Sequence, residues 1–302
     1  MNAAETVAVV VVTHNRADLL SRLLDGLAAQ TRRPDAVIVV VNGSTDHTAE
    51  VLAARTDLPL DVITQENVGG AGGFHRGVRA AYDGGWGRVW LVDDDVVPAP
   101  DCLEVLMATD EDCLMAVRET LTGELVEKSA TRFDLSNPLA IRPKTASVDS
   151  TWATREEMPE RVALENVAFE GFMVRRRVIE QIGFPDPTFF IFYDDVDYAV
   201  RAREAGFTIW AIRDARLVRQ LDFSQQHDLA GWKGFYMYRN LFVVHLRHGR
   251  NPLVRLKPLL ITLAVVLLSP VRGGRAEAGN VIRAMRSAWG MRSMPGSTAP
   301  PR

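Results

Sequence analysis

Apolar β-branched runs that alternate with helical patterns, each stopping in a cluster of polar residues, limit this chain more than any other feature. Residues 7–12 are almost all valine and end in Thr13-His14-Asn15-Arg16. Residues 17–30 follow, with Leu19, Leu20, Leu23, Leu24 and Leu27 at helical spacing. Asn15 or Asp18 is placed to cap that helix. A second buried strand at 36–41 ends in Asn42-Gly43-Ser44-Thr45-Asp46, and a short helix is expected over 48–55. A third strand at 60–64 leads to the glycine-rich 67–73 and a helix over 74–82. A fourth, at 88–92, ends in Asp93-Asp94-Asp95. Strand and helix in alternation with short links predict an α/β fold, a mostly parallel sheet covered by helices on both faces. Ligands of such sheets bind beyond the carboxyl ends of the strands, where these polar clusters fall.

The pattern weakens over 109–165, where Pro138, Pro143 and Pro159 interrupt it; short antiparallel strands or a covering loop both fit. Residues 167–174 read as a strand, 175–182 as a helix ending at Gly183, and 195–205 as a helix closed by Gly206. Residues 207–212 are strand-like, and 232–247 form a long amphipathic helix. Three segments are expected: an α/β domain over 1–245, a basic and apolar helical extension over 246–292, and a disordered tail over 293–302, rich in Pro, Gly and Ser.

Bulk properties narrow the function. Of 302 residues 47% are apolar and the net charge is -3, which suits a packed core and not a nucleic-acid binder. Cys102 and Cys113 lie in no CxxC pair, so reduced thiols are expected and not a disulfide or zinc framework. Glu5 before the first apolar run, and polar residues after it, argue for a strand and against a signal peptide. The longest apolar run, inside 258–270, falls short of the ~20 residues that span a bilayer.

Chemistry concentrates in four places. Three adjacent carboxylates repel one another unless a cation or protons neutralise them. If strand alternation continues past Val92, Asp93 and Asp95 share a side and can hold Mg²⁺ or Mn²⁺, which would neutralise a leaving diphosphate. An acidic turn in solvent is the plainer alternative. In 67–73, four glycines in five positions let backbone approach a ligand, and the helix beyond offers N–H groups to an anion; a flexible turn or tight helix packing would need the same residues. Neither a P-loop nor GxGxxG is present. The two clusters after the first and second strands offer side chains to a base or ribose, or serve as caps and Asx turns. Asp194, Asp195 and Asp197 follow an aromatic run at a helix start, where acids answer the dipole or one acts as general base.

In this order, Thr-His-Asn-Arg, Asn-Gly-Ser-Thr-Asp, Asn-Val-Gly-Gly-Ala-Gly-Gly-Phe, Asp-Asp-Asp and Asp-Asp-Val-Asp-Tyr-Ala-Val-Arg-Ala resemble glycosyltransferase family 2 over about residues 7–245. The resemblance implies a GT-A fold, an inverting mechanism and a nucleotide-diphosphate sugar donor. It implies nucleotide-sugar contacts by Thr13, Arg16, Asn42 and Ser44, with Asn67, Gly69, Gly70 and Asp94 beside them. It further implies a divalent metal (Mn²⁺ or Mg²⁺) at Asp93 and Asp95, Asp195 as general base, and Asp194 and Asp197 in support. The glycine-rich segment, the Asp-Asp-Val-Asp-Tyr stretch and Tyr238-Arg239-Asn240 are similar to actinobacterial galactofuranosyltransferases of cell-wall galactan, which use UDP-galactofuranose and a polyprenyl-diphosphate-linked acceptor. Rhamnosyltransferases using dTDP-rhamnose share much of the pattern.

Two departures stand out. Val41 occupies the position before Asn-Gly-Ser where the family usually has an aspartate. Where galactan-extending relatives have a metal-ligating histidine, Arg219 or Gln220 stands, and His227 is the nearest histidine. Basic residues flanking the 258–268 apolar run suit the surface of an anionic membrane, which a lipid-linked acceptor would make useful; a packing helix is the alternative. The resulting expectation is a cytoplasmic enzyme, peripheral at the inner face of the cell membrane. A nucleotidyltransferase is disfavoured because no Gly-rich, Lys/Arg-bearing loop follows the first strand, and a non-catalytic binding protein because the acidic residues are intact.

Overall fold

The structure, a computed structural model, describes residues 5–140, 142–221, 229–271 and 274–293. The expected tail from residue 294 onward and His227 lie outside them. The first half alternates as the sequence predicts: β1 (Val7–Thr13), α1 (Ala17–Ala28), β2 (Ala36–Asn42), α2 (Thr48–Ala54), β3 (Leu60–Gln65), α3 (Gly69–Asp83) and β4 (Arg88–Asp93). Strands β3, β2, β1 and β4 lie side by side, all parallel. Every residue of β1 and β2 is buried, because helices cover both faces and leave no solvent side to alternate toward. Apolar residues therefore serve both faces of β1: Val9 and Val11 join Leu20, Leu23 and Leu27 on one side, while Val10 and Val12 join Phe74 and Val78 on the other.

After β4 come β5 (Val96–Pro98), α4 (Cys102–Ala108), β6 (Cys113–Glu119), β7 (Ala130–Phe133), β8 (Lys144–Ser147), α5 (Val148–Thr151), β9 (Arg161–Leu164), β10 (Phe172–Arg175), α6 (Arg176–Ile182), α7 (Asp194–Glu204) and β11 (Ile209–Arg219). The sheet continues β4-β10-β6-β11-β5, with β10 antiparallel to both neighbours and β9 paired to β11. The sheet is therefore mixed beyond β4. Strand β7 pairs antiparallel with β8 in a small separate sheet. Both cysteines are free and buried, and burial raises their thiol pKa values.

Three further helices follow among the described residues: α8 (Trp232–His248), α9 (Pro252–Leu268) and α10 (Gly274–Gly290). The domain limit expected at 245/246 falls inside α8. That helix packs on both α10 and α7 and shares a core with the aromatic turn before α7. With a short 3-10 turn, α9 reaches Val271 and becomes a 20-residue helix of mean hydropathy 1.8, long and apolar enough by composition to cross a membrane. The sequence pattern places it below that length, because Pro252, Arg255, Lys257 and Pro258 interrupt the apolar run. Pro252 sits in the first turn, where its missing N–H costs nothing, and Asn251 caps that turn by accepting from Val254 N at 3.0 Å. Lys257 is buried, its ammonium donating to the carbonyls of Asn137 (2.6 Å) and Ala140 (2.9 Å), which ties α9 to the loop after β7.

Candidate active site

The site assembles where β1, β2 and β4 end. Strand β4 stops at Asp93, so the expected alternation does not extend through the triplet. Asp94 and Asp95 stand in the turn that follows and both face Arg16. The Arg16 guanidinium donates to Asp94 Oδ1 at 2.8 Å and lies 3.7 Å from Asp95 Oδ2. Thr13, the last residue of β1, donates its hydroxyl to Asp94 Oδ2 at 2.8 Å. Asp93 Oδ1 accepts from the backbone N of Asp94 at 3.0 Å. Burial, then the neighbouring carboxylates, hold Asp93 well above the ordinary carboxylate range; burial raises Asp94 and Asp95 as well, against the opposing pull of Arg16.

Neither Asn15 nor Asp18 caps α1. Its Ala17 N–H is taken at 3.1 Å by Asp46, which also accepts from Thr48 and so starts α1 and α2 together. Asn15 has φ 53° and accepts from Thr45 N (2.7 Å), while Ser44 Oγ accepts from Asn15 N (3.1 Å), so the first two polar clusters are laced to each other. Asn42 is buried, as is Val41. The Asn42 amide oxygen accepts from Gln65 Nε2 (2.9 Å) and Val68 N (3.3 Å), and its nitrogen donates to Gly69 O (3.1 Å). In this structure Asn42 organises the 65–69 loop. His14 bridges the same loop: Nδ1 faces Asn42 O at 2.9 Å and Nε2 faces Asn67 Nδ2 at 3.3 Å, a pattern that suits the Nδ1–H tautomer.

The glycine-rich stretch differs from its expected form. The helix starts at Gly69, so most of the run is its first turn and not a loop. A Cβ on Gly73 would lie 2.4 Å from Val12 Cγ1, and one on Gly77 2.3 Å from Val10 Cγ1. These glycines let α3 lie close on the sheet. Gly70 has open space around its Cα. Gly69, at φ 79°, would drive a Cβ to within 2.1 Å of Phe190 O, so the helix start sits against the turn that precedes α7.

That turn brings in the second acidic group. Asp195 lies in the first turn of α7, its Oδ1 accepting from Val196 N at 2.7 Å. Burial is the main cause that pushes its carboxyl up to about 6, with the Glu170 charge adding to it. Asp194 is raised well above the usual range by burial and by Asp195. Asp197 points elsewhere: it meets Arg201 (2.9 Å), His248 (3.0 Å) and Arg247 (3.2 Å) in a buried cluster against α8.

Glu170, which the motifs do not single out, stands electrostatically between the two acidic groups. Its charge acts on Asp93 and Asp95 as well as on Asp195. Arg118 pairs with Glu170 and with Glu127 (2.8 Å), and Arg219 lies 3.6 Å from Glu170 and 3.8 Å from Asp95. These arginines hold the Glu170 carboxyl below its ordinary value despite burial. A lone acid ahead of a glycine in an otherwise apolar run, Phe169-Glu170-Gly171-Phe172, is the available signal. Arg219, one of the two residues standing where a metal-ligating histidine was expected, faces Asp95 and Glu170.

Among the described residues, no three carboxylate, thiol or imidazole groups are close enough to hold a metal on their own. Asp93 and Asp95 would need phosphate or water oxygens to complete a shell, as Mg²⁺ and Mn²⁺ sites at nucleotides commonly do. Asp95 Oδ1 fits that role: it is buried and has no hydrogen-bond partner among the described residues.

Residues 4–232 match the family described as "Glycosyltransferase like family 2". This chain is a member of glycosyltransferase family 2. Galactofuranosyltransferase GlfT1 of Mycobacterium tuberculosis is 35% identical to it over 215 residues, 70% of this chain and 69% of that protein. GlfT1 of Mycolicibacterium smegmatis is 30% identical over 209 residues, 68% of each. Among solved structures, the mannosyltransferase PcManGT of Pyrobaculum calidifontis, in complex with GDP-Man and Mn²⁺, superposes with a TM-score of 0.54 at 20% identity, covering 97% of this chain and 78% of that one. The fold is GT-A, and this family 2 member is a glycosyltransferase.

Proposed function

We propose that this enzyme transfers galactofuranose from UDP-galactofuranose, with inversion, to a polyprenyl-diphosphate-linked or cell-wall glycan acceptor. The observation that carries the reading is the gathering of two acidic groups, distant in sequence, around Glu170. Asp195 takes the proton from the acceptor hydroxyl as that oxygen attacks the anomeric carbon and the nucleotide diphosphate leaves. Its raised pKa, about 6, suits a base working near neutral pH. Thr13 and Arg16 fix Asp94 in the donor cleft, and the rim at Ser44 and Asn67 faces the nucleotide. A divalent cation held by Asp93 and Asp95 would supply neutralising charge at the diphosphate. His227 remains a candidate further ligand by sequence alone.

The C-terminal helices support peripheral contact with the inner face of the cell membrane. Leu253, Leu256, Leu259, Leu260, Leu263 and Leu267 on α9 are exposed, the last by 68%. A patch of this kind on an otherwise ordinary surface marks an interaction face, and Arg250 and Arg255 beside it suit anionic headgroups.

The deciding experiment is a donor screen by thermal shift with Mn²⁺, comparing UDP-galactofuranose with dTDP-rhamnose and other nucleotide sugars, followed by transfer assays. A bound donor raises the melting temperature by mass action. Stabilisation by dTDP-rhamnose alone would reassign the donor, and diphosphate release from NTP and sugar phosphate would point to nucleotidyl transfer. Liposome flotation at low salt tests the membrane contact, with Leu260→Ser/Leu263→Ser/Leu267→Ser expected to abolish binding.

A further inference from the structure

Three of the four residues just before the acidic start of α7 adopt backbone angles that L-residues avoid. Phe190, Phe192 and Tyr193 have φ of 65°, 66° and 67°; Tyr193 is the N-cap of α7 itself, next to Asp194 and Asp195. Such conformations cost about 1–3 kcal/mol each and persist only where surroundings over-determine them. None of the three is glycine, and the turn's own backbone bonds, Ile191 N to Phe189 O at 2.8 Å and Phe190 N to Pro187 O at 3.4 Å, leave the carbonyls of Ile191 and Phe192 to other partners.

Those carbonyls converge on one side chain. Asn240, fully buried in the middle of α8, directs its amide nitrogen at Phe189 O (3.0 Å), Ile191 O (2.7 Å) and Phe192 O (2.9 Å). Two N–H bonds shared among three acceptors leave no spare donor. The orientation of the amide is fixed by Arg239, whose Nε donates to Asn240 Oδ1 at 2.8 Å. Arg239 reaches the same turn, donating to Thr188 O (2.9 Å) and Phe189 O (2.7 Å). The remaining carbonyl, Phe190 O, accepts from Ala71 N at 3.2 Å, beside Gly69. One face of the turn is therefore held by α8 and the other by the start of α3.

We propose that Asn240, oriented by Arg239, is a positioning residue for the transfer reaction: it locks the 189–193 turn in its strained form and thereby fixes where the Asp195 carboxylate stands. The inference rests on the reading of Asp195 as base. Neither Asn240 nor Arg239 bonds to an acidic residue of the cleft; both act through the turn. Without these donors the turn relaxes to ordinary angles, and the first turn of α7 moves with Tyr193. A shift of about 1 Å in a reacting group costs on the order of 100-fold in rate.

The test uses the full-length protein, wild type and Asn240→Ala, Asn240→Asp and Asp195→Asn, with two independent readouts. The first is amide hydrogen exchange. Asn240→Ala and Asn240→Asp are expected to speed exchange in residues 189–197 while β1, β2 and β4 stay protected. Unchanged exchange there overturns the proposal, whatever the activity does. The second readout is transfer from UDP-galactofuranose with Mn²⁺. Both Asn240 variants should lose about 100-fold in kcat with donor KM changed less than about threefold, and keep the acid limb of the pH profile. Because aspartate keeps the shape but not the amide donors, near-normal kcat in Asn240→Asp also overturns the proposal. If Asn240→Ala does not fold, Arg239→Lys carries the same measurements with a milder loss of contacts. Normal turnover in Asp195→Asn would remove the base assignment and, with it, the catalytic part of the proposal; the exchange result decides the clamp by itself.

Discussion

Replacing Arg247 with methionine tests how the C-terminal helices are joined to the catalytic domain. The Arg247 side chain is 3% exposed and places one nitrogen 2.8 Å from Asp186 and 3.2 Å from Asp197, which are 2% and 0% exposed. Methionine fills most of the volume, so the loss is one of charge. Removing one member of a buried ion pair costs about 3–5 kcal/mol, because the partner is left charged and unsolvated. Asp197 keeps Arg201 at 2.9 Å and His248 at 3.0 Å, so the orphaned groups are Asp186 Oδ2 and the Met291 carbonyl, which accepts from Arg247 Nε at 2.9 Å. Asp186 Oδ1 keeps the Thr188 N–H and hydroxyl, at 2.9 and 2.6 Å. The expected loss therefore falls at the low end, about 3 kcal/mol, which at about 2–4 °C per kcal/mol for large domains lowers the melting temperature by about 6–12 °C. Guanidinium unfolding followed by tryptophan fluorescence measures it. Adding Asp186→Asn should restore most of the loss. An Arg79→Met control on the exposed Arg79–Asp83 pair should match wild type. A loss under about 1 kcal/mol in Arg247→Met, or no recovery in the double variant, would refute the assignment of this cluster as the joint.

Three further outcomes are expected. Transfer should fall tenfold per pH unit below about 6, the value of the Asp195 carboxyl, and level off above it; since that folded-state value is raised, ionising Asp195 costs stability progressively from about pH 4 and in full above about pH 6, and Asp195→Asn should melt slightly higher than wild type at pH 8 while failing to turn over. Asp93→Asn should likewise raise the melting temperature without metal, because it removes one of three repelling carboxylates, yet abolish both turnover and stabilisation by Mn²⁺ with UDP. Gly69→Ala should lower the melting temperature and transfer together, since a φ of 79° and a contact of 2.1 Å to Phe190 O leave no room for a methyl group; a variant as stable and active as wild type would contradict that packing.

The parts of the fold legible in sequence are those decided locally. Valine runs name β1 and β2 because a strand buried on both faces needs no polar alternation, and the leucine spacing of α1 names its buried face. Non-local choices are not legible. Nothing in Phe172–Arg175 says that it inserts antiparallel between β4 and β6. Glycines have poor helix propensity, and only the closeness of Val12 to Gly73 and of Val10 to Gly77 shows why α3 carries them where it crosses the sheet. At the site, the motif order locates Asp93, Asp94, Asp95 and Asp195, but the partners that set their charge lie far off in sequence. Arg118, Glu170 and Arg219 come from three strands or strand ends, and the Tyr238-Arg239-Asn240 motif carries a resemblance but no role for Asn240 until its three acceptors, about 50 residues earlier, are seen.

The match to the family description ends at residue 232, just where α8 begins. A recombinant version trimmed there to discard the greasy α9 would also discard Asn240, Arg247 and His248. The family-matched part of the enzyme would then be complete on paper and lack the α8 donors that hold the 189–193 turn. Improving solubility calls instead for substituting the outward leucines of α9 while leaving α8 whole.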